Sequence, residues 1–299
     1  MASVVPMTTR PASSGERLPP PVPEIDYVAR WQQIIERRRT QMDSAYARAG
    51  IVHADYWGRR AKSYRAATHA ATADDPLIDR VLRVAGAGSS VLDVGAGTGR
   101  HTLALAPRVG QVTAVEPSDA MLGLLREDVA TQNLHNVQTV QAEWMDADVA
   151  PADVVICSHV LYPIGDVVPF IEKLQASAKQ RVFVYLRADP VPTDFGYWKD
   201  FHGEPLQDQP THRDLFNLLV QLGIMADVEI VPTAFHWSFE SLEDAANQLA
   251  GALCLRDDDQ PSRARLRELI RERWDDANGR VVPPPRPTRS AIFSWAPRH

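Results

Sequence analysis

The chain has two cysteines in 299 residues, Cys157 and Cys254, and neither has a CxxC partner. That excludes a disulfide framework and a cysteine-built zinc site, and it fits a reducing compartment. There is no run of about 18 apolar residues, so nothing reads as membrane-spanning, and the N-terminus lacks the apolar core of a secretory signal. A cytoplasmic location is expected. There is no basic excess either: 32 Lys and Arg stand against 38 Asp and Glu, for a net charge of −6. A nucleic-acid partner is therefore not expected. Lysine is scarce, with four in all (Lys62, Lys173, Lys179, Lys199), which is a compositional bias rather than a functional signal. The histidines are scattered without metal-ligand spacing, no metal is expected, and no Gly-x-Ser-x-Gly elbow occurs.

Residues 1–25 carry Pro6, Pro11, Pro19, Pro20, Pro21 and Pro23 among small polar residues and read as a disordered tail. Residues 26–75 read as an N-terminal helical cap. Its main helix runs from about Asp26 to Ala49, with Ile25, Val28, Trp31, Ile35 and Met42 on one face and Glu36-Arg37-Arg38-Arg39 solvated opposite. Residues 76–299 read as one domain. Short β-branched runs at Ser90–Val94, Gln111–Val115, Val137–Gln141, Asp153–Ser158 and Arg181–Leu186 alternate with helical stretches at 76–85, 100–106, 118–131 and 167–176. Such alternation specifies a doubly wound α/β sheet whose strands are buried on both faces. A helix at Thr211–Leu222, a strand at Asp227–Val231 and a closing strand at Ser290–Trp295 follow.

Between the last two strands lie two helices that a minimal sheet does not need. One begins at the capping box Ser241-Leu242-Glu243-Asp244, and the other begins near Pro261-Ser262 with Leu266, Leu269, Ile270 and Trp274 on one face. They form a helical insertion at about 238–280, which Gly279 and Pro283-Pro284-Pro285 close. Arg263, Arg265, Arg267, Arg271 and Arg273 alternate with the apolar face and read as exposed helix surface.

The informative segment is Val91-Leu92-Asp93-Val94-Gly95-Ala96-Gly97-Thr98-Gly99. A glycine turn between a buried strand and a helix lets backbone N–H groups approach an anionic ligand group. Arg100 stands where a G-x-G-x-x-G dinucleotide fingerprint needs its third glycine, and the third glycine here comes one position early, so a nicotinamide dehydrogenase is disfavoured. Asp93 ends the first strand, where a carboxylate can receive an ammonium group directly or through water. Glu116 ends the second, where an acid can accept both ribose hydroxyls of an adenosine. Ammonium, carboxylate and ribose diol together describe S-adenosylmethionine.

On VLDVGAGTGR and AVEPSDAM the sequence resembles the class I S-adenosylmethionine-dependent methyltransferases, over about Tyr56–Tyr185, and within them the small-molecule group that includes ubiquinone-biosynthesis enzymes. The resemblance implies a Rossmann-like, seven-stranded, mostly parallel sheet. It assigns the methionine end of the cofactor to Asp93, Gly95, Ala96, Gly97 and Gly99, the ribose to Glu116 and a face of the adenine to Pro117. Glu143, or Asp146, would contact the adenine amino group, and Trp144 would stack on the ring. Ser158, with His159, would end the fourth strand at the transfer pocket. Tyr64 or Arg60, in an aromatic-rich helix before the motif, would reach the methionine carboxylate, although these aromatics could equally just pack that helix on the sheet.

For catalysis, His159 is the best-positioned general base and Tyr162 its neighbour; either could instead shape the pocket wall. Tyr197, Trp198 and His202 follow the fifth strand as weaker substrate contacts. His236 and Trp237 are expected on a strand face, and Cys157 as an inert buried thiol. The function expected is methyl transfer to an O, N or C nucleophile of a small molecule, leaving S-adenosylhomocysteine, by a monomer or homodimer. An RNA or protein acceptor, and a non-catalytic cofactor-binding scaffold or sensor, are the alternatives.

Overall fold

A computed structural model describes residues 25–51, 61–69, 75–189, 194–233, 237–277, 279–284 and 288–298. The expected tail, apart from Ile25, and the segment Tyr56–Arg60 lie outside the described residues.

The strands are β1 (Ser90–Val94), β2 (Gln111–Val115), β3 (Val137–Val140), β4 (Ala152–Ser158), β5 (Ala178–Arg187), β6 (Asp227–Thr233), a small hairpin of β7 (Asp275–Ala277) and β8 (Arg280–Val282), and β9 (Thr288–Trp295). The helices are α1 (Tyr27–Ala49), α2 (Ala61–His69), α3 (Pro76–Leu82), α4 (Arg100–Leu105), α5 (Asp119–Thr131), α6 (Val167–Ala176), α7 (Trp198–His202), α8 (His212–Gln221), α9 (Leu242–Ala252) and α10 (Gln260–Arg273). Seven strands form one sheet in the order β3-β2-β1-β4-β5-β9-β6, with β9 antiparallel to both neighbours and the other pairs parallel. This is the expected doubly wound, mostly parallel sheet.

Alternate residues of each central strand go to opposite cores. Leu92, Val155, Cys157, Val182 and Val184 pack with α6 and α8, whereas Val91, Val154, Ile156, Phe183 and Tyr185 pack with α3 and α4. The order in which strands are added reverses between β1 and β4, and in such sheets ligands sit outside the strands' carboxyl ends at that point.

α1 is capped by the Asp26 side chain, which accepts the Val28 and Ala29 N–H groups, and it ends at Gly50 in the left-handed region (φ +63°). Trp31 is its anchor: fully buried, it donates from Nε1 to the Ile164 carbonyl at 2.7 Å. Arg30 pairs with Asp214 of α8 at 2.9 Å. α1 thus lies on the α6/α8 layer, and Ile25, expected on the packed face, is exposed. The element that reaches the glycine turn is α2, tied to α5 by Arg65 with Asp128. Ala45 near the end of α1 joins a second core made by α7, α9 and α10 around Leu249, Leu266, Leu269 and Trp274. The inserted helices therefore carry their own core. The β7–β8 hairpin stands where only a helix stop was expected.

Candidate active site

Three glycines of the β1–α4 turn are in the left-handed region: Gly95 (φ +72°), Gly97 (φ +57°) and Gly99 (φ +89°). A Cβ on Gly95 would overlap Val160, and one on Gly99 would overlap Leu125 of α5. Gly97 differs, because a Cβ there would stand 3.7 Å from both Tyr64 of α2 and Met121 of α5. That leaves a shallow cradle beside Tyr64. The Gly95 and Ala96 N–H groups donate to the Val115 carbonyl at 2.8 and 3.0 Å and tie the turn to the end of β2.

Glu116 follows β2 at that junction. Its buried carboxylate accepts the Gly97 N–H and the Ser118 N–H, each at 2.9 Å. A carboxylate has about four acceptor positions, so two remain for a diol. Burial raises its pKa, with smaller contributions from the nearby charges of Asp93 and Glu143. Asp93 is buried beneath the turn, accepts the Thr102 hydroxyl at 2.7 Å, and also has its pKa raised by burial. The Thr98 hydroxyl, in the middle of the turn, is buried and has no hydrogen-bond partner among the described residues. Leaving such a group unmade costs about 1–3 kcal/mol, and a polar ligand against the turn could relieve it. Pro117 and Glu143 are exposed at the same end of the sheet. Cradle, open acceptor positions and orphaned hydroxyl all fit a nucleoside bearing an amino-acid end.

The second half of the site lies beyond β4 and β5. Ser158, half-buried, pairs in register with Tyr185. His159 takes φ +59°, uncommon for a side chain of its size, and its N–H donates to the Tyr185 carbonyl at 2.7 Å. His159 Nδ1 is 2.9 Å from the Tyr162 hydroxyl, which also accepts the Arg187 N–H at 2.8 Å. Burial, then the charges of Arg187, Arg100 and His101, push the His159 pKa well below its usual value, so the ring is neutral. Burial likewise lifts Tyr162 to about 12 and raises Tyr64 and Tyr185.

Sequence reasoning missed a buried cluster beside these residues, where the His101 ring lies 6.5 Å from that of Tyr185. Asp75 caps α3 by accepting the Leu77 N–H at 2.9 Å, and its other oxygen meets Arg100 Nη2 at 2.7 Å and His101 Nε2 at 3.1 Å. Burial pushes its pKa up, but His101 and Arg100 outweigh that and hold it at about 2. The only signal was the Arg100-His101 pair directly after the glycines. Arg187, at the end of β5, had no signal beyond its position.

Several expected site residues lie elsewhere. Trp144 is buried against α6, 6.3 Å from the Phe170 ring and with Lys173 over its face, so stacking on an adenine is not open to it. Tyr197 and Trp198 are fully buried in the second core, and His202 stacks on Trp198 and bonds the Leu253 carbonyl at 2.8 Å. These three are packing residues rather than substrate contacts. Trp237 lies beyond β6, against Phe195 and Phe239, rather than on a strand face. Arg263, expected to be exposed, is buried beside Asn247, while Arg265, Arg267 and Arg273 pair with Glu268, Glu243 and Asp200. Asp146 is exposed in the turn after β3. Cys157 is buried and its pKa is raised by burial. Arg60 and His236 lie outside the described residues.

A sheet of this order, with a glycine turn and an acid flanking its switch point, defines an α/β protein built to hold a nucleoside-like ligand. Residues 91–180 match the protein family described as "Methyltransferase domain". That match takes in the glycine turn, Glu116 and β4. It is 34% identical over 146 residues to an uncharacterised protein of Haemophilus influenzae, covering 48% of this chain and 54% of that one. It is 24% identical over 144 residues to a Methanosphaera stadtmanae protein described as "Probable ribosomal RNA small subunit methyltransferase A", covering 48% of each. The chain thus spans about half the length of these relatives. Among solved structures, magnesium protoporphyrin IX methyltransferase of Synechocystis with bound S-adenosylhomocysteine aligns at a TM-score of 0.47 and 14% identity, covering 91% of this chain and all of that one. Among the described residues no helix is long and apolar enough to cross a membrane.

Proposed function

We propose that the protein binds S-adenosylmethionine across the glycine turn and transfers its methyl group to a small molecule seated at the ends of β4 and β5. The observation that carries this reading is Glu116, buried beside Gly97 at the switch point with acceptor positions left over. Glu116 would take the ribose diol, Pro117 would lie along the adenine and Glu143 would meet its amino group. Gly97 and Tyr64 would flank the methionine end, and Asp93 would face its ammonium through water, because the carboxylate is covered by the turn. When bound, the cofactor supplies a methyl group already activated by a sulfonium. The chain's own contribution is alignment and exclusion of water, and orientation of that kind is worth about 7–11 kcal/mol.

A nucleic-acid acceptor is supported less well, because the chain has a net charge of −6 and the α10 arginines named above with partners are already paired. The test is calorimetric titration with S-adenosylmethionine, S-adenosylhomocysteine and NADH. Micromolar binding of the two sulfur ligands with none of NADH is expected, and no binding of either sulfur ligand would overturn the proposal.

A further inference from the structure

β6 ends the sheet, and among the described residues no strand pairs with its outer edge. An unpaired edge is a template for another strand, so natural proteins blunt it with lysine, a bulge, proline or an inward charge. β6 carries Pro232 near its end, but from Asp227 to Val231 it has none of these devices. It has no lysine, and its pairing with β9 runs unbroken from Asp227 to Thr233. Its acids are engaged on the far face, Glu229 with Arg80 of α3 at 2.8 Å and Asp227 with Arg181 of β5 at 3.7 Å.

That alternation leaves Val228 and Ile230 on the other face. They stand opposite Phe293 and Ala291, which belong to the core beneath α8, and directly opposed residues share a face. α8 turns Leu215, Leu218 and Leu219 into that core, and it turns Asp214 and Gln221 to Arg30 and Tyr27 of α1. Phe216 and Val220, one helical turn apart on the flank away from α1, therefore face the β6 side. Met225 lies in the connection between α8 and β6. Phe216, Val220, Val228 and Ile230 are 37–44% exposed and Met225 77%. They are five of the eight large apolar side chains exposed among the described residues, so the exposed apolar surface is concentrated here.

We propose that this surface joins two copies of the chain, with β6 antiparallel to β6 of the second copy across a two-fold axis. The α8 flank and Met225 pack beside that seam. Area and symmetry both point to a second copy. The five side chains offer on the order of 400 Å² of apolar surface. A standard interface takes about 800 Å² from each partner, with about 60% of it apolar, so the patch with a polar rim approaches what a stable dimer needs. A two-fold axis sets the same patch against itself and pairs the two free edges with each other. β4, β5 and β9 stand between β6 and β1 in the sheet, so the seam leaves the glycine turn of each copy untouched. The dimer is thus independent of the cofactor reading above.

Sedimentation of the full chain tests this directly. At about 50 μM the parent should sediment at twice the 33.2 kDa of one chain, because interfaces of this size bind at micromolar concentration or tighter. Ile230→Glu and Met225→Glu each place a charge in the seam and should raise the dimer dissociation constant by about tenfold or more. Both positions are exposed in the single chain, so the circular dichroism melt should stay within about 2 °C of the parent. Val84→Glu, an exposed apolar site beyond α3, should leave the dimer within twofold. Each copy carries a net charge of −6, so raising NaCl from about 0.05 to about 0.5 M should tighten the dimer by screening their repulsion. A monomeric parent, whether another protein or another part of the chain covers the patch, would overturn the proposal. So would a dimer that Ile230→Glu and Met225→Glu leave intact, or one that salt loosens. Hydrogen exchange gives an independent readout: protection that rises with protein concentration should fall in α8 and β6, and a rise confined to other elements would move the interface elsewhere.

Discussion

Replacing Glu116 with alanine removes an acceptor that faces two ways. Inside the protein it strands the N–H groups of Gly97 and Ser118, now bonded at 2.9 Å each. Each stranded donor costs about 1–3 kcal/mol if it stays dry, and less once water enters the vacated space. The variant should therefore fold with reduced stability. Toward the ligand it removes two hydrogen bonds to a charged acceptor, each worth about 1.5–3 kcal/mol before water compensates. A net loss of about 2–3 kcal/mol weakens binding by about 30- to 150-fold. The assay is calorimetric titration of variant and parent with S-adenosylmethionine and S-adenosylhomocysteine, after circular dichroism shows that the variant is folded. Because the ribose is common to both ligands, the two should lose affinity by the same factor. A loss confined to the sulfonium ligand would mean that Glu116 acts by its charge alone. An affinity within twofold of the parent in a folded variant would remove Glu116 from the ribose altogether.

Gly99→Ala puts a Cβ into Leu125 at φ +89°. Left-handed strain of about 1–2 kcal/mol and overpacking of about 1–3 kcal/mol should lower urea stability by at least about 2 kcal/mol, and a melt within about 2 °C of the parent would contradict the packing described. Asp75, held at about 2 instead of the ordinary 3.8, has a depressed folded-state pKa. Its stabilising contribution is therefore fully present above about pH 4 and is lost as pH falls toward 2, a loss of about 2 kcal/mol. In urea unfolding from pH 6 to 2.5, the stability gap between the parent and Asp75→Asn should narrow by about two thirds of that amount. A gap independent of pH would show that Asp75 is not ionised against Arg100 and His101.

How far the fold could be read from the sequence depended on burial. The central strands announce themselves because both faces are covered, so Ser90–Val94 and Gln111–Val115 are apolar or β-branched apart from Ser90, Asp93 and Gln111, and their bounds match the structure. β5 was underestimated, starting at Ala178 instead of Arg181, because Lys179 and Gln180 at its exposed start break the apolar run. The β7–β8 hairpin has three exposed residues in its first strand, two of them aspartates, and its three-residue strands are too short to show an alternating pattern. α7 escaped notice because it is a single turn, marked only by Trp198 packed into the second core.

The site was readable where a backbone constraint dictates residue type, and unreadable where contact depends on tertiary approach. Gly95, Gly97 and Gly99 are required by left-handed φ values, and Glu116 is one residue past a strand that can be counted, so both follow from local sequence. Trp144 is equally close in sequence to the cofactor end of the sheet, yet its ring turns into the core, because Phe170 and Lys173 of α6 supply a partner that no local pattern specifies. The same limit applied to His159. Its position at the end of β4 suggests a base, but its pairing with the hydroxyl of Tyr162, itself bonded to the backbone of Arg187 on β5, depends on tertiary approach. Residue type and strand position thus restrict where chemistry occurs. What surrounds a histidine at that position is set by contacts such as the hydrogen bond between Tyr162 and Arg187, 25 residues apart, which no local pattern specifies.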